Sequence, residues 1–568
     1  MRKNGESGTS RFAQGVLFLT LSNLLTKLCG LFLKVPLTNT LGDTGMAYFN
    51  LAYAVYKWFY MISTAGLPVA AAVLTAHCRA ERDPLRRQAM LLRVRNVTLG
   101  AFCIMGGIGS FCMWFGAPLF AHLQGVEDAA APIAAMAPAL FFICIASALR
   151  GWYQGLEDQL PASAAQVVEA GAKMLCGLLL GAYALRRGLK ISTVAAYAIT
   201  GLTVGSFLGM AVMLLSMQAV KKRCRMRAKI PGKMHGLTPR GQLLRRLMRI
   251  ALPVTLSASV MSLCDMLDSM IVIRRLCGGG MAETEALRLY GNYTALAVPM
   301  FNLPPVLIYP VTTALIPVLT AAYEDRGAPQ KCHRLIRVSL SGAACIALPC
   351  SAGMSVLAEP ILRLFYREDL AATGAPLLAV LAHAVFFLSV LAMTNAVLQA
   401  LECARLPLYS MLAGAAVKLL SSWILTGQKE IGIFGTPIST VLCYLTMAVC
   451  NLYFVMRVSG VSLPFVRLFA KPAAASVFCA TTAKAFYTAA AAGAFPEALC
   501  TLGAVGVGAV TYLAVLMLLR GIDEELLQLL PGRLRGLFVR GSTAGSVQRR
   551  VVVLSGKQKR SSALSKRR

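Results

Sequence analysis

FAQGVLFLTLSNLLTKLCGLFLKV (residues 12–35) and MAYFNLAYAVYKWFYMISTAGLPVAAAVLTA (residues 46–76) decide the fold. In the first, Asn23, Thr26, Lys27, Gly30 and Lys34 recur every three or four residues and so share one helix face. In the second, Asn50, Tyr53, Lys57, Tyr60 and Thr64 do the same, and the other faces are Leu, Phe, Val, Ala and Met. A helix that is apolar over most of its surface but carries one cationic stripe suits a membrane span facing a wet cavity. Lys27, Lys34 and Lys57 converging there predict an anionic cargo. Asn23, Tyr53 and Tyr60 complete the candidate lining.

The rest of the chain agrees with a membrane setting. Of 568 residues, 57% are hydrophobic and only 14% charged, and the mean hydropathy is +0.65. Soluble domains carry about a quarter charged residues. Apolar runs long enough to span a bilayer recur from end to end, which predicts an all-α polytopic membrane protein. The runs are continuous and do not alternate, so a β-barrel is excluded. The segment Met1 to Arg11 is short and basic, and no small-residue cleavage site follows, so the first span reads as retained. The seventeen cysteines include no Cys-x-x-Cys and mostly lie inside apolar runs, where they read as small apolar filler.

Fourteen spans are expected, at about 12–35, 46–76, 91–114, 132–150, 163–186, 191–218, 247–273, 288–322, 335–358, 375–399, 407–426, 434–456, 469–491 and 497–520. The net charge of +32 falls mostly in alternate loops, which argues against nucleic acid as a partner. Arg79 to Arg95 holds six basic residues, Lys221 to Arg249 eleven, Arg326 to Arg337 four, and the tail from Arg520 twelve. The opposite loops Leu41 to Gly45 and His122 to Asp128 hold none, although Arg186, Arg187 and Lys190 lie on that side. This bias predicts a multi-pass plasma-membrane protein with both termini in the cytosol. The eighth span contains Pro299, Pro304, Pro305, Pro310 and Pro317 and is expected to bend against protein or a wet cavity. The tail from Gly521 reads either as an extension binding anionic lipid headgroups or as a bare topological anchor.

Two pieces of the first half recur about 245 to 249 residues later. Thr64-Ala65-Gly66-Leu67-Pro68-Val69 returns as Thr313-Ala314-Leu315-Ile316-Pro317-Val318. Gln154-Gly155-Leu156-Glu157 returns as Gln399-Ala400-Leu401-Glu402, and Lys173 and Lys418 hold the same offset. Six helices separate the copies, an even number, so the halves run parallel through the membrane. The expected organisation is a six-helix lobe at 1–220, a basic cytosolic linker at 221–249, and a second six-helix lobe at 250–457. Two extra helices at 458–520 and a basic tail at 521–568 follow. Two lobes around a central cavity form the architecture of an alternating-access transporter.

Buried charges need reasons, since one at the bilayer centre costs about 2.5–3.5 kcal/mol. Lys27 lies about 22 Å along its helix, too deep for easy snorkelling, whereas Lys34 could either snorkel or face the cavity. Glu169 and Lys173 are four apart and read as a salt bridge or as charge-balancing groups. Asp265 and Asp268 share a helix face and either bind a coupling cation or neutralise the lysines of an empty cavity. Lys418 is isolated in its span, and its role is open. Asp265-x-x-Asp268 also looks like half of a magnesium-diphosphate site, but no second acidic cluster faces it in the other spans. No phosphate-binding loop, His-Glu-x-x-His or Gly-x-Ser-x-Gly occurs. No cofactor and no catalytic residue are expected, and an ion gradient, the membrane potential or product consumption would supply the energy.

Thr26-Lys27-Leu28-Cys29-Gly30, Lys34-Val35-Pro36, Leu51-Ala52-Tyr53-Ala54-Val55-Tyr56 and Gly66-Leu67-Pro68-Val69-Ala70 resemble a known opening. It is that of the MOP exporter branch containing stage V sporulation protein B and MurJ. Arg150-Gly151-Trp152-Tyr153-Gln154-Gly155, Gln166-Val167-Val168-Glu169, Asp268-Ser269 and Leu289-Tyr290-Gly291 look like its later signatures. The resemblance implies a fourteen-helix flippase for lipid-linked oligosaccharides, with a cationic cavity and a lipid-tail groove at helices 13 and 14. It implies that Lys27 is the family's basic residue in the first helix, that Lys34 is a nearby basic position, and that Lys173 stands where Arg is common. Ala72-Val73 and Ala170 depart from it, which removes one basic position. The rivals are a MATE-type cation or drug antiporter of the same fold, a membrane-embedded prenyl or glycosyl transferase, and a scaffold without transport.

Overall fold

The computed structural model describes residues 3–79, 81, 83–223, 238–324, 329–403, 405–493 and 495–519. Among the described residues the chain is helical, with short turns and no strand. In chain order the first helices are α1 (Lys3–Thr64), α2 (Leu67–Arg79), α3 (Pro84–Phe115), α4 (Ala117–Gln124), α5 (Ala130–Gly155), α6 (Leu160–Arg186) and α7 (Ile191–Arg223). Then come α8 (Arg240–Gly278), α9 (Glu283–Asn292), a π turn (Tyr293–Ala297), α10 (Val298–Phe301), α11 (Pro305–Glu324), α12 (Pro329–Val356) and α13 (Ala358–Arg363). The last are α14 (Glu368–Leu381), α15 (Ala384–Ala400), α16 (Leu406–Thr426), α17 (Gly435–Ser459), α18 (Phe465–Ala491) and α19 (Glu497–Leu518).

Among the described residues the expected spans fall mainly on helix. Nine described stretches are long and apolar enough to cross a membrane, and eleven are when two bent pairs each count as one span. The arm of α1 before Leu33, the proline-rich run Glu283–Glu324 and α18 lie beyond those eleven, so the count of fourteen agrees in outline. α1 is two helices joined at Gly42, whose φ of 69° and ψ of −172° interrupt the helix shortly after Pro36. A left-handed φ is open to glycine at no steric cost. The eighth expected span is broken as its prolines require: α10 ends at Phe301 and α11 restarts at Pro305.

The chain divides into two compact units. One holds Met1–Phe301, Phe365–Leu381 and Leu408–Met447; the other holds Asn302–Leu364, Ala382–Pro407 and Ala448–Arg568. In the first unit, close helix approach is written in glycine. Gly201, Gly205 and Gly209 are spaced by four along α7 and face α6. A Cβ on Gly201 would lie 2.3 Å from the Gly177 nitrogen, and one on Gly205 would lie 2.5 Å from Lys173 Cγ. Small residues at this spacing bring helix backbones together where lipid offers no hydrophobic drive. α5 uses Gly151 and Gly155 against α2 in the same way, with virtual Cβ atoms 2.5 Å from the Pro68 carbonyl oxygen and from Thr75 Cβ. Tyr153, between them, donates its hydroxyl to the Met213 carbonyl at 2.5 Å.

The second unit has its own core, in which Leu319, Ile336, Met393, Val397 and Val455 are fully buried. Asn451 donates from Nδ2 to Asn395 Oδ1 at 2.7 Å and to Thr394 Oγ1 at 3.2 Å within it. The hairpin of α18 and α19 is fastened to α12 by Tyr512, whose hydroxyl reaches the Cys345 carbonyl at 2.8 Å. Arg363 on α13 bridges Glu359 at 2.6 Å and Glu497 at 3.1 Å.

The sequence repeat has a local structural counterpart. After α5, Glu157 adopts φ 58°, and after α15, Glu402 adopts φ 59°; among the described residues these are the two non-glycine positions with positive φ. Both helices close identically, with Asp158 N–H bonded to the Tyr153 carbonyl and Cys403 N–H to the Leu398 carbonyl. This double-bonded end ordinarily takes glycine in the left-handed position. A strained glutamate at matched positions supports duplication.

These contacts separate two glycine substitutions. Gly201→Leu forces α6 and α7 apart, and overpacking of this kind costs about 1–3 kcal/mol. Gly100→Ala on α3 meets nothing within 4 Å and should be neutral or slightly stabilising. Thermal unfolding of the purified protein in detergent checks both.

Candidate functional site

The second arm of α1 carries Tyr53, Tyr56, Lys57 and Tyr60 on one face, as its spacing predicts. Tyr56 lies between the other two rings, with centroids 5.9 Å from each. Tyr53 is exposed and Tyr56 buried. Asn50 and Thr64, from the same stripe, turn back on their own helix and donate to the Met46 and Tyr60 carbonyls. The working polar face is therefore narrower than the sequence stripe.

Lys57 does not stand free. Its Nζ lies 2.7 Å from Asp265 Oδ2 on α8. The other oxygen of Asp265 is 3.0 Å from Lys418 Nζ on α16, and that ammonium lies 3.4 Å from Asp268 Oδ2. The result is an alternating chain, Lys57–Asp265–Lys418–Asp268, without net charge. Sequence reasoning left Lys418 isolated because a partner on another helix leaves no mark in spacing. Cys264 ties the two helices together, its thiol donating to the Ala415 carbonyl at 3.8 Å. The π turn adds Tyr293, whose hydroxyl bonds Thr440 Oγ1 at 3.1 Å.

The chain is graded. The side chains of Lys57 and Asp265 are 36% and 34% exposed, those of Lys418 and Asp268 only 8% and 9%. Asp268 Oδ1 is buried without a hydrogen-bond partner. Removing one member of the buried pair would strand its partner, whereas the other pair stays open to its surroundings.

Lys34 is half-buried on the first arm of α1. Among the described residues no carboxylate bonds it. The side chains of Asn23 and Lys27 lie outside the described residues, as do most of the basic linker and the basic tail. Glu169 and Lys173 form a salt bridge of 2.6 Å within α6, pressed against Gly205 and Gly209 of α7. They do not join the Lys57–Asp268 chain in any bond described.

A further polar cluster was not singled out by sequence. Asp43, beside the Gly42 break, accepts from Arg288 Nε at 2.9 Å. Gly291 lets α9 approach this turn: its virtual Cβ would lie 1.9 Å from the Asp43 carbonyl oxygen. Asn39 bonds the Phe365 carbonyl at 3.1 Å and accepts from the Arg367 N–H at 3.2 Å. Gln124 bridges the Leu51 carbonyl and Ser269 Oγ. The Leu289-Tyr290-Gly291 motif was the available signal for the first of these contacts.

Comparison with known proteins follows the same lines. A family model described as polysaccharide biosynthesis protein matches residues 12–322, and a MatE model matches residues 293–424. The chain is 25% identical over 534 residues to stage V sporulation protein B of Bacillus subtilis (strain 168), covering 92% of this chain and 98% of that one. It is 23% identical over 470 residues to the lipid II flippase MurJ of the same organism, covering 80% and 84%. Among solved structures, lipid II flippase MurJ in an inward closed conformation superposes with a TM-score of 0.66 at 14% identity, covering 89% and 98%. An inward-facing multidrug resistance MATE transporter superposes with a TM-score of 0.63 at 19% identity, covering 78% and 98%.

The gradient predicts unequal losses of stability. Lys418→Ala strands Asp268 and should cost about 3–5 kcal/mol, whereas Lys57→Ala removes a half-exposed partner and should cost about 0–1 kcal/mol. Unfolding midpoints measured in choline chloride, free of small cations, test the difference.

Proposed function

The chain belongs to the polysaccharide biosynthesis protein family, in the branch of the MOP superfamily containing stage V sporulation protein B and MurJ. We propose that it is a non-enzymatic flippase carrying a polyprenyl-diphosphate-linked cell-wall precursor from the inner to the outer leaflet by alternating access. Its membership and its apolar helices make it a multi-pass membrane protein of transporter type. The identity of the cargo rests on the likeness to the lipid II flippase MurJ and on the charges described above.

The observation that carries the proposal is the half-exposed Lys57–Asp265 pair, on the helix whose first arm carries Lys34. A diphosphate entering here would meet Lys34, which no described carboxylate holds, and would replace Asp265 on Lys57. Asp265 would retain Lys418, so no buried carboxylate is stranded by the exchange. Charge-assisted hydrogen bonds of this type contribute about 1.5–3 kcal/mol. Tyr53 and Tyr60 would flank the sugars with aromatic faces, and Lys27 would extend the cationic strip along the first arm of α1. Displacement of the precursor by Asp265 would then help release it on the far side.

A cation or drug antiporter is the second reading, favoured by the MatE match and the MATE-like fold. Such a protein needs carboxylates available to a cation, and here both carboxylates of α8 are held by lysine. For a prenyl transferase the same two carboxylates would have to hold magnesium. Among the described residues no group of three His, Cys, Asp or Glu side chains gathers as metal ligands.

The exchange gives opposite signs for two variants. Lys57→Ala should weaken precursor binding about tenfold or more and lower outward translocation in proteoliposomes. Asp265→Asn leaves Lys57 without its competitor and should tighten binding while slowing translocation. Native mass spectrometry titration reads the first quantity and a fluorescent lipid-linked precursor the second. A folded Lys57→Ala protein matching wild type in both would overturn the reading.

A further inference from the structure

Lys418 raises a question that cargo binding does not answer. It is the most buried ammonium of the alternating chain, and it is shared by two carboxylates one helical turn apart on α8. Two carboxylates at i and i+3 inside apolar helices would repel each other without a cation between them. An inorganic ion could serve, and the surroundings hold the oxygen donors that a hard monovalent cation takes. Asp265 Oδ1 and Asp268 Oδ2 already point at one centre. Asp268 Oδ1 is buried and unpartnered, although Asp268 as a whole is only 6% exposed. That spare acceptor is more than an ammonium with three donors uses in this geometry.

We propose that Asp265 and Asp268 form a monovalent-cation site whose resident cation is the protein's own Lys418, so that the native protein takes no sodium there. Removing the lysine side chain would convert the pair into a sodium site. α16 thus supplies as a covalent part of the fold what would otherwise be a dissociable ion. A tethered ammonium cannot leave with the cargo or exchange with solution. Its charge compensation is therefore independent of sodium concentration on either side of the membrane. Lys57 does not replace it, because its ammonium binds the opposite oxygen of Asp265 and does not reach Asp268 in any described contact.

This inference does not rest on the identity of the cargo, and its test needs no transport assay. Saturable binding of radioactive sodium to purified full-length protein in detergent is measured with choline as the replacing cation. Wild type should bind none above background, and its unfolding midpoint should be equal in sodium and choline chloride. Lys418→Ala should acquire saturable sodium binding, and sodium should raise its midpoint by about 1–2 °C or more. The double variant Lys418→Ala/Asp268→Asn should lose both effects. Saturable binding by wild type that Asp268→Asn abolishes would overturn the proposal, as would a folded Lys418→Ala protein indifferent to sodium. If Lys418→Ala does not accumulate, the wild-type and Asp268→Asn measurements decide: binding overturns the proposal and its absence supports it.

Discussion

An ammonium placed between two carboxylates among apolar helices constrains nearly everything around it. Each of these charges alone would cost a few kcal/mol in a membrane interior. Together they are tolerable only if α8 and α16 hold fixed register, because a slip of one residue would turn Asp265 and Asp268 away from Lys418. The neighbouring contacts serve that register. The Cys264 thiol reaches the Ala415 carbonyl, and Gly414 lets α17 close on α16, with a virtual Cβ only 2.4 Å from Met447 Cγ. The π turn at Tyr293–Ala297 inserts an extra residue into its helix and places Tyr293 on Thr440. Such turns are rare and concentrate at functional positions.

Much of this was legible in the sequence because it depends on period and composition. The helical spans, the break after Phe301 and the aromatic face of Tyr53, Tyr56 and Tyr60 follow from apolar runs, prolines and a spacing of three to four. The break at Gly42 was marked only by its loop position between two runs. What spacing does not contain is the partner across a helix interface. Spacing places Lys57 on a polar stripe and leaves Lys418 isolated in its span, yet both meet Asp265. One of the two roles left open for Asp265 and Asp268, neutralising lysines, describes their contacts in this structure. The glycine ladder of α7 was equally present in the sequence. Its meaning needed the knowledge that α6 lies opposite, with Lys173 and Glu169 filling the space that side chains on α7 would occupy.

Lys173 and Lys418, which hold the offset of the sequence repeat, have different counter-ions. Lys173 has Glu169 one turn earlier on its own helix and is neutralised locally. The corresponding place before Lys418 is Gly414, which supplies no charge and instead admits α17. Lys418 must then look outward, and α8 answers with two carboxylates. The helix ends nearby kept their strained glutamates, Glu157 and Glu402, in the same left-handed conformation. The two helix ends thus share a backbone conformation while the two lysines differ in pairing, since a capping conformation is set by local hydrogen bonds and a charge by whichever helix lies opposite.

A site whose lysines are already neutralised would bind an anion by exchange. An unpaired cluster of cations would attract a diphosphate strongly and hold it, because leaving would expose several desolvated charges at once. On the proposed reading an internal carboxylate competes for Lys57, so only the difference between phosphate and carboxylate would contribute to binding, and Asp265 would take the lysine back. The cost of stranding that carboxylate during the exchange is limited by Lys418, which remains 3.0 Å from it. In the proposed exchange the buried pair would make the half-exposed pair labile: Asp265 could release one cation because it does not depend on that cation alone.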